Sequence, residues 1–198
     1  AEYLSDAAMH QALSPDEAVA EWLRTVTLDI CRKSASDWVG PAFRDHSEPF
    51  TGHLETAHLC WGVAAVLNLA EGVFSETEAA EARQALREKG IRLCQRWVKK
   101  NRHLANWRGI LVSGIIVASA VLHDEATLDE TLPDLRLCHA AFQPDGSYGE
   151  SVQYGNYLAL ALTFAHEALV RRFPEKAATL DVSAYGRGTD WVASSMFY

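Results

Sequence analysis

Between residues 144 and 157 the chain reads PDGSYGESVQYGNY, and the helical pattern LALALTFAHEALVRRF follows directly. Asp145-Gly146 permits a tight reversal, because glycine accepts positive φ and an aspartate can bond its own backbone. A helix starting near Glu150 places Glu150, Tyr154 and Tyr157 at i, i+4 and i+7, on one face. A carboxylate and two phenols on one wall offer rings for stacking and polar groups for hydrogen bonds, which is what a sugar site needs. A plainer alternative makes Tyr154 and Tyr157 core aromatics with one hydrogen bond each. Glu150 would then be the acidic partner of a helix N terminus.

A second constellation is Asn106-Trp107-Arg108, at the end of the basic run KKNRHLANWR, residues 99–108. An asparagine amide can donate to a carboxylate, an indole can stack on a sugar ring, and a guanidinium can add charge. The plain alternatives are an N-cap for Asn106, a buried anchor for Trp107 and a solvated charge for Arg108. Lys99, Lys100, Arg102 and His103 also suit a helix C terminus. His53 and His58 are five residues apart and do not stack on one helical face as an i, i+4 metal pair would. No metal-ligand cluster, GxSxG, P-loop or GxGxxG pattern is present, so the sequence implies no metal or cofactor.

These groups need helices to hold them, and the pattern supplies them. Ser14-Pro15-Asp16-Glu17 is a helix start with Ser14 as the cap, followed by Val19, Trp22, Leu23, Val26 and Ile30 on one face. Residues 34–51 read as a loop. A helix over 52–71 carries Leu59, Val63, Val66 and Leu67, and Gly72 stops it. The capping box Ser75–Glu78 opens a helix to about Lys100, with Ala82, Leu86, Ile91, Cys94 and Val98 inward. Residues 106–122 are apolar all round and predict a buried helix, in which Gly109, Ser113, Gly114 and Ala118 allow close approach of neighbours. Helices over 125–142 and about 150–172 follow, and the tail is helical in part, broken at Gly186 and Gly188. Buried helices alternating with half-exposed ones predict an all-α fold, an incomplete α/α toroid, over one domain spanning 1–198.

The chain has 198 residues, a formal net charge of -8 and 48% hydrophobic residues, which argues against bulk attraction to nucleic acid or anionic membranes. The longest apolar run, residues 110–122, is shorter than the ~20 residues a membrane span needs. The opening AEYLSDAAMHQ has no basic stretch typical of a signal peptide. Cys31, Cys60, Cys94 and Cys138 lie in apolar helical contexts and read as buried free thiols.

Together, Asn-Trp-Arg opening a small-residue apolar helix and the later PDGSYGESVQYGNY resemble the heparinase II/III-like polysaccharide lyases and the alginate lyases built on the same toroid. The resemblance covers residues 50–175, and 144–157 is its most specific part. It implies β-elimination on a uronic-acid polysaccharide. Tyr154 matches the catalytic base and acid, and Asn106 the residue that neutralises the substrate carboxylate. Arg108, Trp107, Glu150 and Tyr157 are implied substrate contacts. The resemblance further implies a C-terminal β-sandwich domain, with a histidine of its own, in a longer protein. It implies, too, a periplasmic or secreted bacterial location. Two other readings stay open. One is a glycoside hydrolase with Asp145 and Glu150 as its carboxylate pair. The other is a non-catalytic carbohydrate-binding helical domain.

Overall fold

The computed structural model describes residues 2–102 and 104–196 and is all-α, as the periodicity predicts. In chain order the helices are α1 (Glu2–Leu13), α2 (Glu17–Arg32), α3 (Ala35–Val39), α4 (Leu54–Leu69), α5 (Glu76–Ala85) and α6 (Arg92–Lys100). They continue with α7 (Asn106–Val121), α8 (Glu125–His139), α9 (Val152–Arg172), α10 (Pro174–Ala177), α11 (Ser183–Gly186) and α12 (Gly188–Met196). Among the described residues, β pairing is limited to one bridge, Phe142 with Tyr148.

Helix α7 is the centre. Gly109 through Ile116 are all buried, and so are Ala118, Ser119 and Ala120. Burying each large aliphatic side chain here contributes about 1.5–3 kcal/mol. The small residues do what their spacing predicts. A Cβ on Gly114 would lie 2.9 Å from the Cα of Ala57, so α4 crosses α7 at backbone contact. A Cβ on Gly109 would strike Leu158 of α9. Ser113 Oγ donates to the Ala161 carbonyl of α9 at 2.5 Å and accepts from Trp61 Nε1 of α4 at 3.2 Å.

These contacts set direction. Gly109 meets Leu158 and Ser113 meets Ala161, so α7 and α9 run the same way. His58 meets Tyr157 and Asn68 meets Arg172, so α4 runs with them. The long helix α5–α6 and helix α8 return the chain between these parallel members and pack on α7 from outside.

Several local expectations shift by a residue or a face. The cap of α2 is Asp16, not Ser14: its carboxylate accepts from Ala18 N and Val19 N, each at 2.9 Å. An anionic oxygen at a helix N terminus outcompetes a hydroxyl two residues earlier. The buried face of α2 is Leu23, Thr27, Leu28 and Cys31, while Trp22 is exposed. The stretch expected as loop contains α3, closed by a capping box between Ser34 and Asp37. The Ser75–Glu78 capping box forms as read. Between α5 and α6 a π-helical turn, Leu86–Ile91, absorbs the five-residue step between two inward side chains, Leu86 and Ile91. All four cysteines are free and buried.

At the end of α8, His139 is buried against Tyr185, ring centroids 5.1 Å apart, and neither ring nitrogen has a hydrogen-bond partner. Burial first, and the neighbouring His166 second, push its pKa from the usual 6.5 to about 4, with Asp181 offsetting only part of this. Between those values the unfolded chain takes up a proton that the folded chain refuses, so stability falls as pH drops from 6.5 towards 4. His53, also depressed by burial and by Arg44, acts in the same direction. The His139 contribution amounts to about 3 kcal/mol at the acid end of that window. Urea unfolding at pH 7 and pH 4.5 should show a large acid loss for the wild type and a clearly smaller loss for His139→Leu.

Candidate functional site

The turn after α8 is built as its residues dictate. Gly146 sits at φ +86°, and a Cβ there would lie 2.3 Å from the Arg187 carbonyl oxygen, so only glycine fits. Asp145 Oδ1 accepts from Ser147 N at 2.9 Å, and those Ser147 bonds hold its carboxyl below the usual range. Asp145 is thereby spent on the turn.

Helix α9 starts at Val152, later than a start near Glu150. Ser151 is its cap and accepts from Tyr154 N at 3.2 Å. Glu150 therefore stands outside the helix and does not share a helical face with Tyr154. Its carboxylate reaches across instead: Oε2 accepts from the backbone N–H of Asn106 at 3.1 Å and from the Tyr148 hydroxyl at 2.7 Å. It is the acidic partner of a helix N terminus, but that of α7. Through adjacent residues Glu150 and Ser151, the first turns of α7 and α9 are fixed at one end of the parallel layer.

The three phenols then part ways. Tyr148 is 6% exposed, and burial followed by the Glu150 bond pushes its pKa above the ordinary tyrosine range, so it stays protonated. Tyr154 is 49% exposed, and among the described residues its hydroxyl has no hydrogen-bond partner. Tyr157 is half-buried, and its hydroxyl lies 2.5 Å from His58 Nε2.

Asn106 is the first residue of α7 rather than its cap, which is Ala105. It is 2% exposed. Arg108 turns inward. It donates to the Val98 carbonyl at 3.3 Å, to the Asn101 carbonyl at 2.5 Å, and to Asp134 Oδ1 of α8. Its charge is spent on joining α6, α7 and α8, where a substrate contact was expected. The reason is burial: an arginine 8% exposed must be paired. Lys99, Lys100 and Arg102 are exposed, and His103 lies outside the described residues.

Trp107 keeps a ring-lined setting. Its indole packs on Trp97, centroids 6.0 Å apart, meets His53 edge-on at 5.7 Å, and lies under the Arg44 guanidinium at 5.0 Å. Arg44 is paired with Glu55 at 2.7 Å, and although burial alone would raise Glu55, the Arg44 bonds hold it below the usual range. The sequence pattern did not point to Arg44. Nor did it give His58 a role. His58 stacks on Trp61 with centroids 4.7 Å apart, and Trp61 meets Phe164 edge-on at 5.2 Å. An arginine in a loop and a histidine on an apolar helix carry no local signal of these partners.

What this end of the molecule offers is an exposed phenol, a buried amide and a phenol–imidazole pair, with a cation stacked on an indole nearby. Among the described residues no group of three or more histidine, cysteine, aspartate or glutamate side chains could hold a metal ion. No described helix is long and apolar enough to cross a membrane. No protein-family model matches the chain, and no curated protein is similar to it.

Proposed function

We propose that this chain is the toroid portion of a polysaccharide lyase that cleaves a uronate-containing polymer by β-elimination. The observation that carries the reading is that two adjacent residues, Glu150 accepting from Asn106 N and Ser151 accepting from Tyr154 N, hold Asn106 and Tyr154 on neighbouring helix N termini. The three parallel helices with returning helices outside them suit an α/α toroid, and a polymer substrate suits a secreted or periplasmic protein.

In this mechanism the Asn106 carboxamide donates to the uronate carboxylate, which stabilises the charge that develops when the C5 proton leaves. Tyr154, as phenolate, takes that proton. The electron pair forms the C4–C5 double bond, the C4–O bond breaks, and the leaving oxygen takes the proton from Tyr154. A phenol with an ordinary pKa near 10 needs stabilisation of its anion to serve as a base. Tyr157, one turn further along α9, is held by His58 beside the same path, and Trp107 with Arg44 offers a stacking surface that carries a cation.

The test is direct. The chain is incubated with a panel of uronate polymers, such as alginate, polygalacturonate and hyaluronan, and the ultraviolet absorbance of the new carbon–carbon double bond is followed. Growing absorbance on one polymer is the expected result. New reducing ends without absorbance would mean hydrolysis instead, and silence on every polymer would overturn catalysis by this chain.

A further inference from the structure

At the opposite end of the parallel layer, α1, α4, α7 and α9 enclose a cleft of about 400 Å³. Its walls are apolar, with Trp61, Val117, Val121 and Phe164 among them. Met9 and Phe164, which line it, are 49% and 40% exposed. Large apolar side chains left open around a cleft of this size mark ligand sites. At its rim are two arginines in unlike states. Arg171 is paired with Glu167 at 3.2 Å. Arg172 is held by the neutral Asn68 side-chain oxygen, and among the described residues it has no carboxylate partner. Its guanidinium therefore keeps a full charge and spare donors.

The helix C termini at this end do not cancel that charge. Their free carbonyls are partly taken already, by the N–H groups of Ala70, Leu122 and Phe173, and the residual dipole is only a fraction of a charge. An apolar wall that ends in an uncompensated guanidinium fits a ligand with an apolar body and an anionic head. A bare sugar fits poorly, because the wall has few groups to bond its hydroxyls.

We infer that this cleft is a binding site for an amphipathic carboxylate, with the apolar chain against Trp61 and Phe164 and the carboxylate on Arg172. The site adjoins the His58–Tyr157 pair through Trp61 but does not depend on the lyase reading. Decanoate is the probe, used below its micelle concentration and titrated calorimetrically, with decanol as its uncharged counterpart. Saturable one-to-one decanoate binding is expected, with decanol about 10-fold weaker, and Arg172→Gln should bring decanoate down to the decanol level. Ala65→Trp, which fills the cleft from α4, should remove both while the circular dichroism stays that of the wild type. Absence of saturable decanoate binding, or an Arg172→Gln protein that binds decanoate as the wild type does, overturns the inference. So does a dimer in sedimentation that Ala65→Trp dissociates, since the cleft would then be an interface between copies.

Discussion

Tyr154→Phe should lower elimination by about 1,000-fold, the range in which a positioned proton-transfer group acts, and leave the fold intact. The two halves of that expectation rest on different facts. The phenol is half-exposed and the helix around it is capped through its backbone, not its hydroxyl. Removing one exposed oxygen therefore changes stability by no more than about 0.5 kcal/mol. Tyr148→Phe is the built-in contrast. Its hydroxyl is buried and shares Glu150 Oε2 with Asn106 N, so its loss should cost about 1 kcal/mol. Any activity change there should be the smaller one, arising from a looser Glu150. Polymer turnover by the Tyr154→Phe protein equal to wild type would remove Tyr154 from the mechanism. A Tyr148→Phe protein that lost activity as deeply, with unchanged stability, would move the base to position 148.

The helices were legible because their signals are local. Ser75 and Glu78 are three residues apart and announce a helix start by themselves. The run from Gly109 to Ala120 is apolar on every side, and only a central helix can bury such a surface. What the pattern missed was detail of rotation, and partnership. On α2 Leu23 is buried and Val19, Val26 and Ile30 pack half-buried against the core as the stripe predicts, but Trp22 is exposed and Thr27, Leu28 and Cys31 complete the buried face, because the position of α4 and α5 decides which side faces in. His58 and Tyr157 lie 99 positions apart, so nothing near either residue signals the pair. Local pattern offers Glu150 either a face shared with Tyr154 and Tyr157 or the N terminus of its own helix, whereas it serves the N terminus of α7, since the interaction crosses from one element to another. At the candidate site the residue types could be read from the chain, whereas their orientations depend on contacts made across the fold.

Arg108 shows the same lesson at the largest energetic scale, and it yields the strongest stability prediction. Asp134→Ala should lower unfolding free energy by about 3 kcal/mol, because it strands a buried cation. The arginine side chain is 10% exposed and that of the aspartate 25%, and Arg108 Nε already lacks a partner. The Val98 and Asn101 carbonyls would remain as acceptors, but neutral dipoles do not replace a carboxylate. For a chain of this length the change corresponds to a fall in Tm of about 10 °C. The double variant Arg108→Met, Asp134→Leu should recover much of it, since exchanging a whole buried pair for apolar groups is close to neutral. Scanning calorimetry on the three proteins decides the matter. An Asp134→Ala protein that melts with the wild type would mean that Arg108 finds solvent or another anion on release. In that event polymer affinity should rise in the same variant, and the guanidinium would return to the list of substrate contacts.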